Sequence, residues 1–251
     1  MSQTRLREVI SSRSLLPYLA WRAGLNGRSD KQVRLTSGEK VILRPPPTND
    51  LGNAMEVFLF SIYESPRRLP GLQRIVDLGA NVGYSVVYFA HRFPAAEIVA
   101  WEPHPDHVRQ LTANVTTNCL EHRVSIYPVA AGSRNETKWL IDQGTSSHVV
   151  DEHAPNSIRI DVRDWLEHAH AQPIDLLKVD IEGGEYDLLF DPRFGELNVS
   201  RLVVECHCNP ARLRGDEEIA ARLRVLGYEV SAGHVAYVDG QRVAMLWGFR
   251  Q

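Results

Sequence analysis

The segment from Val76 to Tyr84, VDLGANVGY, constrains the fold more than any other stretch of the chain. Ile75 to Leu78 reads as a short buried strand and Gly79 to Gly83 as a tight turn. Tyr84 to Arg92 carries apolar residues at helical spacing until Pro94 stops it. A strand, a glycine turn and a helix in that order place backbone amides and a helix N-terminus around one crevice, a cradle for a nucleotide-like ligand.

The chemistry of the turn narrows the ligand. A dinucleotide crevice uses G-x-G-x-x-G, which lets a pyrophosphate touch backbone. Here Gly79 and Gly83 are separated by three residues, and Asn81 stands where the middle glycine would be. Asp77 lies two positions before the first glycine, where a carboxylate repels a pyrophosphate and attracts an ammonium. The pattern D-x-G-x-x-x-G points to S-adenosylmethionine, a nucleoside with an amino-acid tail and no phosphate. The next strand, Glu97 to Trp101, runs into Glu102-Pro103, twenty-three residues past Gly79. An acid at that place can accept both hydrogen bonds of a ribose diol. A solvated loop acid is the plain alternative, and the joint occurrence of acid and turn at this separation decides against it.

The 251 residues fit one α/β catalytic unit with an N-terminal extension. A net charge of -3 supplies no overall basic field for nucleic acid. No apolar run reaches ~18 residues, so no membrane span is expected. The stretch Met1 to Asn26 scatters Arg5, Arg7 and Arg13 among apolar residues and places Pro17 in its most apolar part. It lacks the apolar run and small-residue cleavage site of a secretion signal. The three cysteines, Cys119, Cys206 and Cys208, suit a reducing compartment, and the expected location is cytoplasmic.

Residues 1–72 read as an arm and hairpin. One or two short basic helices reach to about residue 30. Strands Val33–Leu35 and Lys40–Leu43 then flank the turn Thr36 to Glu39, Pro45-Pro46-Pro47 stops the hairpin, and helical spacing resumes from Ala54 to Tyr63. A docking arm packed on the core is the plain reading; a substrate lid or a homodimer contact is the alternative.

Residues 73–251 read as the core. Its expected strands are Ile75–Leu78, Ile98–Trp101, Val124–Ala131, Ile174–Val179 and Arg201–Cys206. Pro105 opens a helix with Val108, Leu111 and Val115 on one face, Asp164 to Ala169 makes a short helix, and Gly227 closes a helix over Glu217–Leu226. Strands at Tyr228–Ser231, Val235–Val238 and Val243–Trp247 follow, with Asp239-Gly240 as a hairpin turn. The alternation predicts an α/β fold, a mostly parallel Rossmann-like sheet of class I methyltransferase layout, with the C-terminal hairpin supplying an antiparallel strand at one edge.

A second signature follows the fourth strand. Lys178, Asp180 and Glu182 alternate with Leu177, Val179 and Ile181, so three ionisable groups project to one side near a buried strand end. A local network that fixes the loop is the bland alternative to a functional site. On the next strand His207 is a candidate general base, with an ordinary pKa of about 6.5, and Glu205 alternates onto its side. Cys206 and Cys208 around His207 do not make a zinc site, because no further spaced pair completes four ligands. A hard cation such as Mg²⁺ on Asp180, Glu182 and Glu205 is the reading not favoured. Trp139, His148, His153 and the loop from Gly144 to Ser147 read equally as acceptor lining or as a surface connection.

VDLGANVGYSVVYFA, the segment Glu102 to Pro105, the stretch Leu111 to Asn118 with Asn114 and Asn118, and above all DLLKVDIEGGEYDLL followed by VVECH resemble the FkbM family of S-adenosylmethionine-dependent methyltransferases. Thr48-Asn49-Asp50 and the Glu56 to Tyr63 segment resemble the same family upstream, and the likeness covers about residues 40 to 208. The resemblance implies O-methylation of a hydroxyl on a small molecule such as a sugar, glycoside or polyketide-type metabolite. It implies cofactor contacts from Asp77, Gly79, Asn81, Gly83 and Glu102, and a transfer site faced by Lys178, Asp180, Glu182 and His207. Ala80, Tyr84, Pro103, His104, Ala130, Glu56 and Tyr63 complete the expected cofactor surroundings. Asp180 or His207 is the expected base for the hydroxyl proton. Three other readings stay open: a nucleic-acid methyltransferase, a nicotinamide oxidoreductase, and a non-catalytic module that binds S-adenosylmethionine.

Overall fold

The computed structural model of the chain describes residues 9–25, 29–142, 147–150, 152–207, 215–238 and 241–250. Helix α1 (Ser12–Arg22) precedes the hairpin β1 (Lys31–Arg34) and β2 (Lys40–Leu43), and α2 (Asp50–Phe58) leads into the core. Then come β3 (Arg74–Leu78), α3 (Tyr84–Arg92), β4 (Glu97–Trp101), α4 (Pro105–Thr117), β5 (Val124–Tyr127), β6 (Ala130–Gly132), β7 (Glu136–Asp142), β8 (Ser147–Val150) and β9 (Ile158–Asp164). The remainder is α5 (Trp165–Ala169), β10 (Leu176–Val179), α6 (Glu185–Leu189), β11 (Arg201–His207), α7 (Gly215–Val225), β12 (Glu229–Val238) and β13 (Gln241–Phe249). No described helix is long and apolar enough to cross a membrane.

The central sheet has seven strands in the order β12-β13-β11-β10-β3-β4-β5. β11, β10, β3, β4 and β5 are mutually parallel, and β13 runs against both of its neighbours. The antiparallel strand is therefore not at the edge, as the terminal hairpin suggested. It is wedged between β11 and β12, because α7 carries the chain across before β12 and the hairpin then folds back inward. β12 is also one strand where two were expected, with a register shift between Ala232 and Val235. The turn at Asp239-Gly240 lies outside the described residues.

The inner strands are apolar on both faces, as a sheet covered on both sides requires: Leu176, Leu177 and Val179 are fully buried, and Lys178 between them is nearly so. α4 starts where Pro105 occupies the first turn and the His104 ring accepts the Asp106 amide at 3.2 Å.

The N-terminal segment docks on this unit. α1 and the hairpin share one apolar cluster with α3, α4 and the core strands, through Val9, Tyr18, Trp21, Val33 and Val41. The free edge of β2 is satisfied by side-chain amides of α4 and of its C-terminal cap residue, Asn118. Ile42 N–H donates to Asn114 Oδ1 at 2.8 Å, and Lys40 exchanges two bonds with the Asn118 amide, at 3.1 and 2.7 Å. The boundary drawn at residue 72 thus separates two segments that pack as one unit.

A second sheet, in the order β6-β9-β7-β8, grows from the stretch after β5. The expected strand Val124–Ala131 breaks at Tyr127, and Ala130 onward belongs to this sheet. Ile160 and Val162 on β9 and Leu140 on β7 bury one face of it, while Arg159, Asp161 and Arg163 face water.

Candidate active site

The site lies where the carboxyl ends of β3, β4, β10 and β11 converge. β10 pairs with β3 so that Lys178 lies opposite Asp77. Their side chains meet in the core: Lys178 Nζ is 2.9 Å from Asp77 Oδ1, and Ser85 Oγ donates to Asp77 Oδ2 at 2.6 Å. Lys178 Nζ also donates to the Gly79 carbonyl at 2.8 Å and lies 3.3 Å from Asp180 Oδ2. Burial alone would lower the Lys178 pKa, but Asp77 and Asp180 outweigh it and raise it, so the ammonium is permanent. Lys178 thus ties the glycine turn to both strands. Gly79 permits the close approach: its φ is +80°, and a Cβ there would lie 1.6 Å from the Asp180 carbonyl oxygen.

Glu102 closes the other side of the turn. Its Oε2 accepts the Asn81 amide and its Oε1 the His104 amide, each at 2.9 Å. His107 Nδ1 lies 3.5 Å from Oε1, and the His107 ring stacks on His104 with centroids 4.3 Å apart. Each carboxylate oxygen keeps acceptor capacity for one more donor.

A cavity of about 720 Å³ opens beside these groups, within the range of small-molecule sites. Of the residues expected from sequence, Gly79, Asn81, Glu102, Pro103, Ala130, Asp180 and Glu182 line it. Asp77 does not; its carboxylate is fully buried against Lys178 and Ser85, which corrects the expectation that it meets a cofactor ammonium. Lys178, Ala80, Gly83, Tyr84, His104, Glu56 and Tyr63 also stand off the wall. Gly83 is instead the tight contact between α3 and α4, where a Cβ would meet Leu111 Cδ1 at 2.4 Å. Tyr84 donates to the Ile42 carbonyl at 3.0 Å, and Tyr63 donates to Asp180 Oδ2 at 3.3 Å. Burial first, and Asp180 second, hold the Tyr63 phenol well above its ordinary pKa, so it keeps its proton.

Sequence reasoning missed a large share of the wall. Trp101, His107, Tyr186 and Phe190 contribute aromatic surface, the second sheet contributes Glu136, Lys138, Leu140, Val149 and Val162, and the β6–β7 connection contributes Arg134. The alternation of β9 was the signal that could have revealed this sheet. Trp139 and His153 do not line the cavity; they pack against each other, edge to face, at 4.5 Å. The residues 144–146, Cys208 and the side chain of His148 lie outside the described set. Cys206 is buried in the apolar layer under β11, consistent with its reading as a small core residue.

His207 sits one step back from the cavity. Its Nδ1 is 3.1 Å from Glu185 Oε1, and its Nε2 is 3.5 Å from Glu182 Oε2 and 3.9 Å from Glu205 Oε1. Burial alone would lower its pKa; the bond to Glu185 and the surrounding carboxylates outweigh this and raise it to about 10. Glu182 rises to about 7 and Glu205 to about 8, in both cases through burial first and the neighbouring Asp180 second. The carboxylates around His207 favour its charged form, so the ring is less free to accept a proton at neutral pH than an isolated imidazole.

The sheet order and the crevice at the ends of β3 and β10 define the class I methyltransferase fold. Residues 77–230 match the methyltransferase FkbM domain model, and the chain belongs to that family. It is 27% identical over 161 residues to Methyltransferase 1 of Beauveria bassiana (strain ARSEF 2860), covering 53% of this chain and 64% of that protein. It is 25% identical over 224 residues to Methyltransferase sdnD of Sordaria araneosa, covering 74% and 85%. Among solved structures, the crystal structure of Methyltransferase FkbM from Methylobacillus flagellatus KT superposes with a TM-score of 0.52 at 17% identity, over 73% of this chain and 45% of that one. The chain thus spans less than two thirds of the length of the first and the last of these relatives.

Proposed function

We propose that the chain transfers the methyl group of S-adenosylmethionine to a hydroxyl of a small molecule of sugar, glycoside or polyketide type, with Asp180 as the base. The observation that carries this reading is the charge layout of one cavity wall. Glu102, with spare acceptor capacity on both oxygens, stands at one end, and Asp180 and Glu182 stand at the other. That layout fits a nucleoside whose ribose donates hydrogen bonds and whose tail is cationic. Gly79 lets the ligand approach the backbone, and Asn81 and Pro103 flank it.

When bound, the cofactor supplies a methyl carbon made electrophilic by a sulfonium. The residues then have three tasks. Glu102 holds the ribose diol. Asp180 and Glu182 favour the cationic end over its neutral product. Asp180 also accepts the proton of the attacking hydroxyl, which is otherwise a poor nucleophile. Both described partners of Asp180, Lys178 and Tyr63, bind Oδ2 and leave Oδ1 for this work. The aromatic and aliphatic wall of Phe190, Leu140 and Val162 suits an acceptor with an apolar body.

The test is to incubate the chain with S-adenosylmethionine labelled in the methyl group and an extract of small metabolites, and to identify the labelled product by mass spectrometry. A label on an oxygen of a small molecule supports the reading. A label on RNA, or a salt-dependent gel shift with RNA, overturns the acceptor class.

A further inference from the structure

We propose that His207, Asp180, Glu182 and Glu205 form a binding site for a divalent transition-metal cation, with Glu185 as the carboxylate that orients the histidine. The four groups arrive from two neighbouring parallel strands and the turn after one of them. Glu205 and His207 alternate onto one side of β11, while Asp180 and Glu182 follow the end of β10.

The histidine is held as a ligand is held. Glu185 is fully buried, and each of its oxygens is fixed by a backbone amide, Ile181 N–H on Oε1 at 3.0 Å and Gly183 N–H on Oε2 at 2.9 Å. His207 Nδ1 lies 3.1 Å from the same Oε1. A carboxylate with no freedom of its own therefore sets the ring plane and draws the Nδ1 proton, which turns Nε2 outward; a cation that binds Nε2 displaces the proton there to solvent. Metal-binding histidines show this arrangement, with the far nitrogen donating to a fixed acceptor.

The spacing on the Nε2 side fits a shared cation better than direct pairing. Nε2 is 3.5 Å from Glu182 Oε2 and 3.9 Å from Glu205 Oε1. Charge-assisted hydrogen bonds close to about 2.7–2.9 Å. Two ligands each about 2.0–2.2 Å from one ion, at tetrahedral or octahedral angles, lie roughly 3–4 Å apart. Among the described residues, Asp180, Glu185 and His207 are the group whose ligating atoms all lie within 4.8 Å of one another, and Glu182 and Glu205 join it through the His207 ring. Charge argues the same way. Among the described residues, the cationic side chains paired with Asp77, Asp180, Glu182, Glu185 and Glu205 are Lys178 and His207, and Lys178 is already shared between Asp77 and Asp180.

One imidazole with carboxylate oxygens suits Mn²⁺, Fe²⁺ or Zn²⁺ better than Mg²⁺. That distinguishes this site from the all-oxygen set read from sequence alone. Because Asp180 belongs both to this cluster and to the cavity wall, a cation here borders the acceptor space. If the methyl-transfer reading holds, an acceptor oxygen that joins the coordination becomes more acidic. Only this last consequence rests on that reading.

The test needs neither cofactor nor acceptor. The full chain is dialysed against a chelator and titrated with Mn²⁺, followed by calorimetry and by the electron paramagnetic resonance of free Mn²⁺, with Zn²⁺ as competitor. One saturable equivalent is expected, and Zn²⁺ should displace it. His207→Ala should weaken it at least tenfold, and Glu185→Gln, which leaves every ligand in place, by roughly 10–100-fold. Because Glu185 is buried, Glu205→Gln at the partly exposed ligand gives the same reading without risk to the fold, and thermal melting checks each variant. Absence of saturable binding of either ion, or equal binding by wild type and by folded His207→Ala, overturns the proposal. Methyl transfer without metal binding would leave the proposed function standing and remove only this site.

Discussion

The two ends of the cavity satisfy their carboxylates in different ways. At the Glu102 end each oxygen accepts a backbone amide within three residues of the strand end or from the adjacent glycine turn. At the Asp180 end the partners are side chains from separate parts of the chain, the Lys178 ammonium, the neutral Tyr63 phenol and the His207 cluster. The first arrangement needs only the pairing of β3 with its neighbour β4. The second exists only once β3, β10 and β11 have assembled, and it holds like charges close together. Such a site is strained towards whatever cation or proton relieves it, which is where chemistry is expected.

The largest effect that would test this contrast is on turnover. Asp180→Asn keeps the shape but removes the base, and methyl transfer should fall by about 10²–10⁴-fold. Calorimetric affinity for S-adenosylmethionine should change far less, because Glu102 still holds the ribose. Wild-type turnover in this variant would remove Asp180 from the chemistry and leave the charged end a structural device.

Next in size is a stability change. Lys178→Met leaves Asp77 fully buried without its cation, and the fold should lose about 3–5 kcal/mol in denaturant titration. A loss below about 1 kcal/mol would mean that Ser85 alone satisfies Asp77, and that the pair does not organise the glycine turn.

How much of each end could be read in the sequence follows from the same contrast. Gly79, Asn81, Glu102 and Pro103 were legible because a strand, a left-handed glycine and a strand-end acid leave local marks at fixed spacing. Asp77 was legible as a site residue but not in its role, since only the pairing of β3 with β10 brings it to Lys178. The tie of His207 to Glu185 joins the start of α6 to the end of β11, a contact for which no recurrent spacing pattern exists, unlike the turn and strand-end acid of β3 and β4. The second sheet escaped because its strands are short and its first residues continue β5 without a break in apolar character. The inward position of β13 escaped for a related reason: a hairpin signal fixes which strands pair, not which of them faces the sheet.

At the quiet end a smaller change is expected. Glu102→Ala should weaken S-adenosylmethionine binding by about 1–3 kcal/mol, the cost of ribose hydroxyls left without acceptors. It should leave turnover at saturating cofactor nearly intact. A fall in turnover with unchanged affinity would reverse the assignment of the two ends.

The smallest effect asked of the comparison concerns His107, which no sequence pattern singled out. It lines the cavity, stacks on buried His104, and brings Nδ1 to 3.5 Å from Glu102 Oε1. That distance is too long for a strong hydrogen bond, so the ring acts mainly by filling space and limiting how far Glu102 can swing. His107→Ala should therefore weaken cofactor binding by only about 0.5–1 kcal/mol, and the Glu102→Ala,His107→Ala double variant should bind no worse than Glu102→Ala alone, because the positioning has lost its object. Fully additive losses in calorimetry would mean that His107 meets the ligand independently, and that the nucleoside end is built from two contacts rather than one.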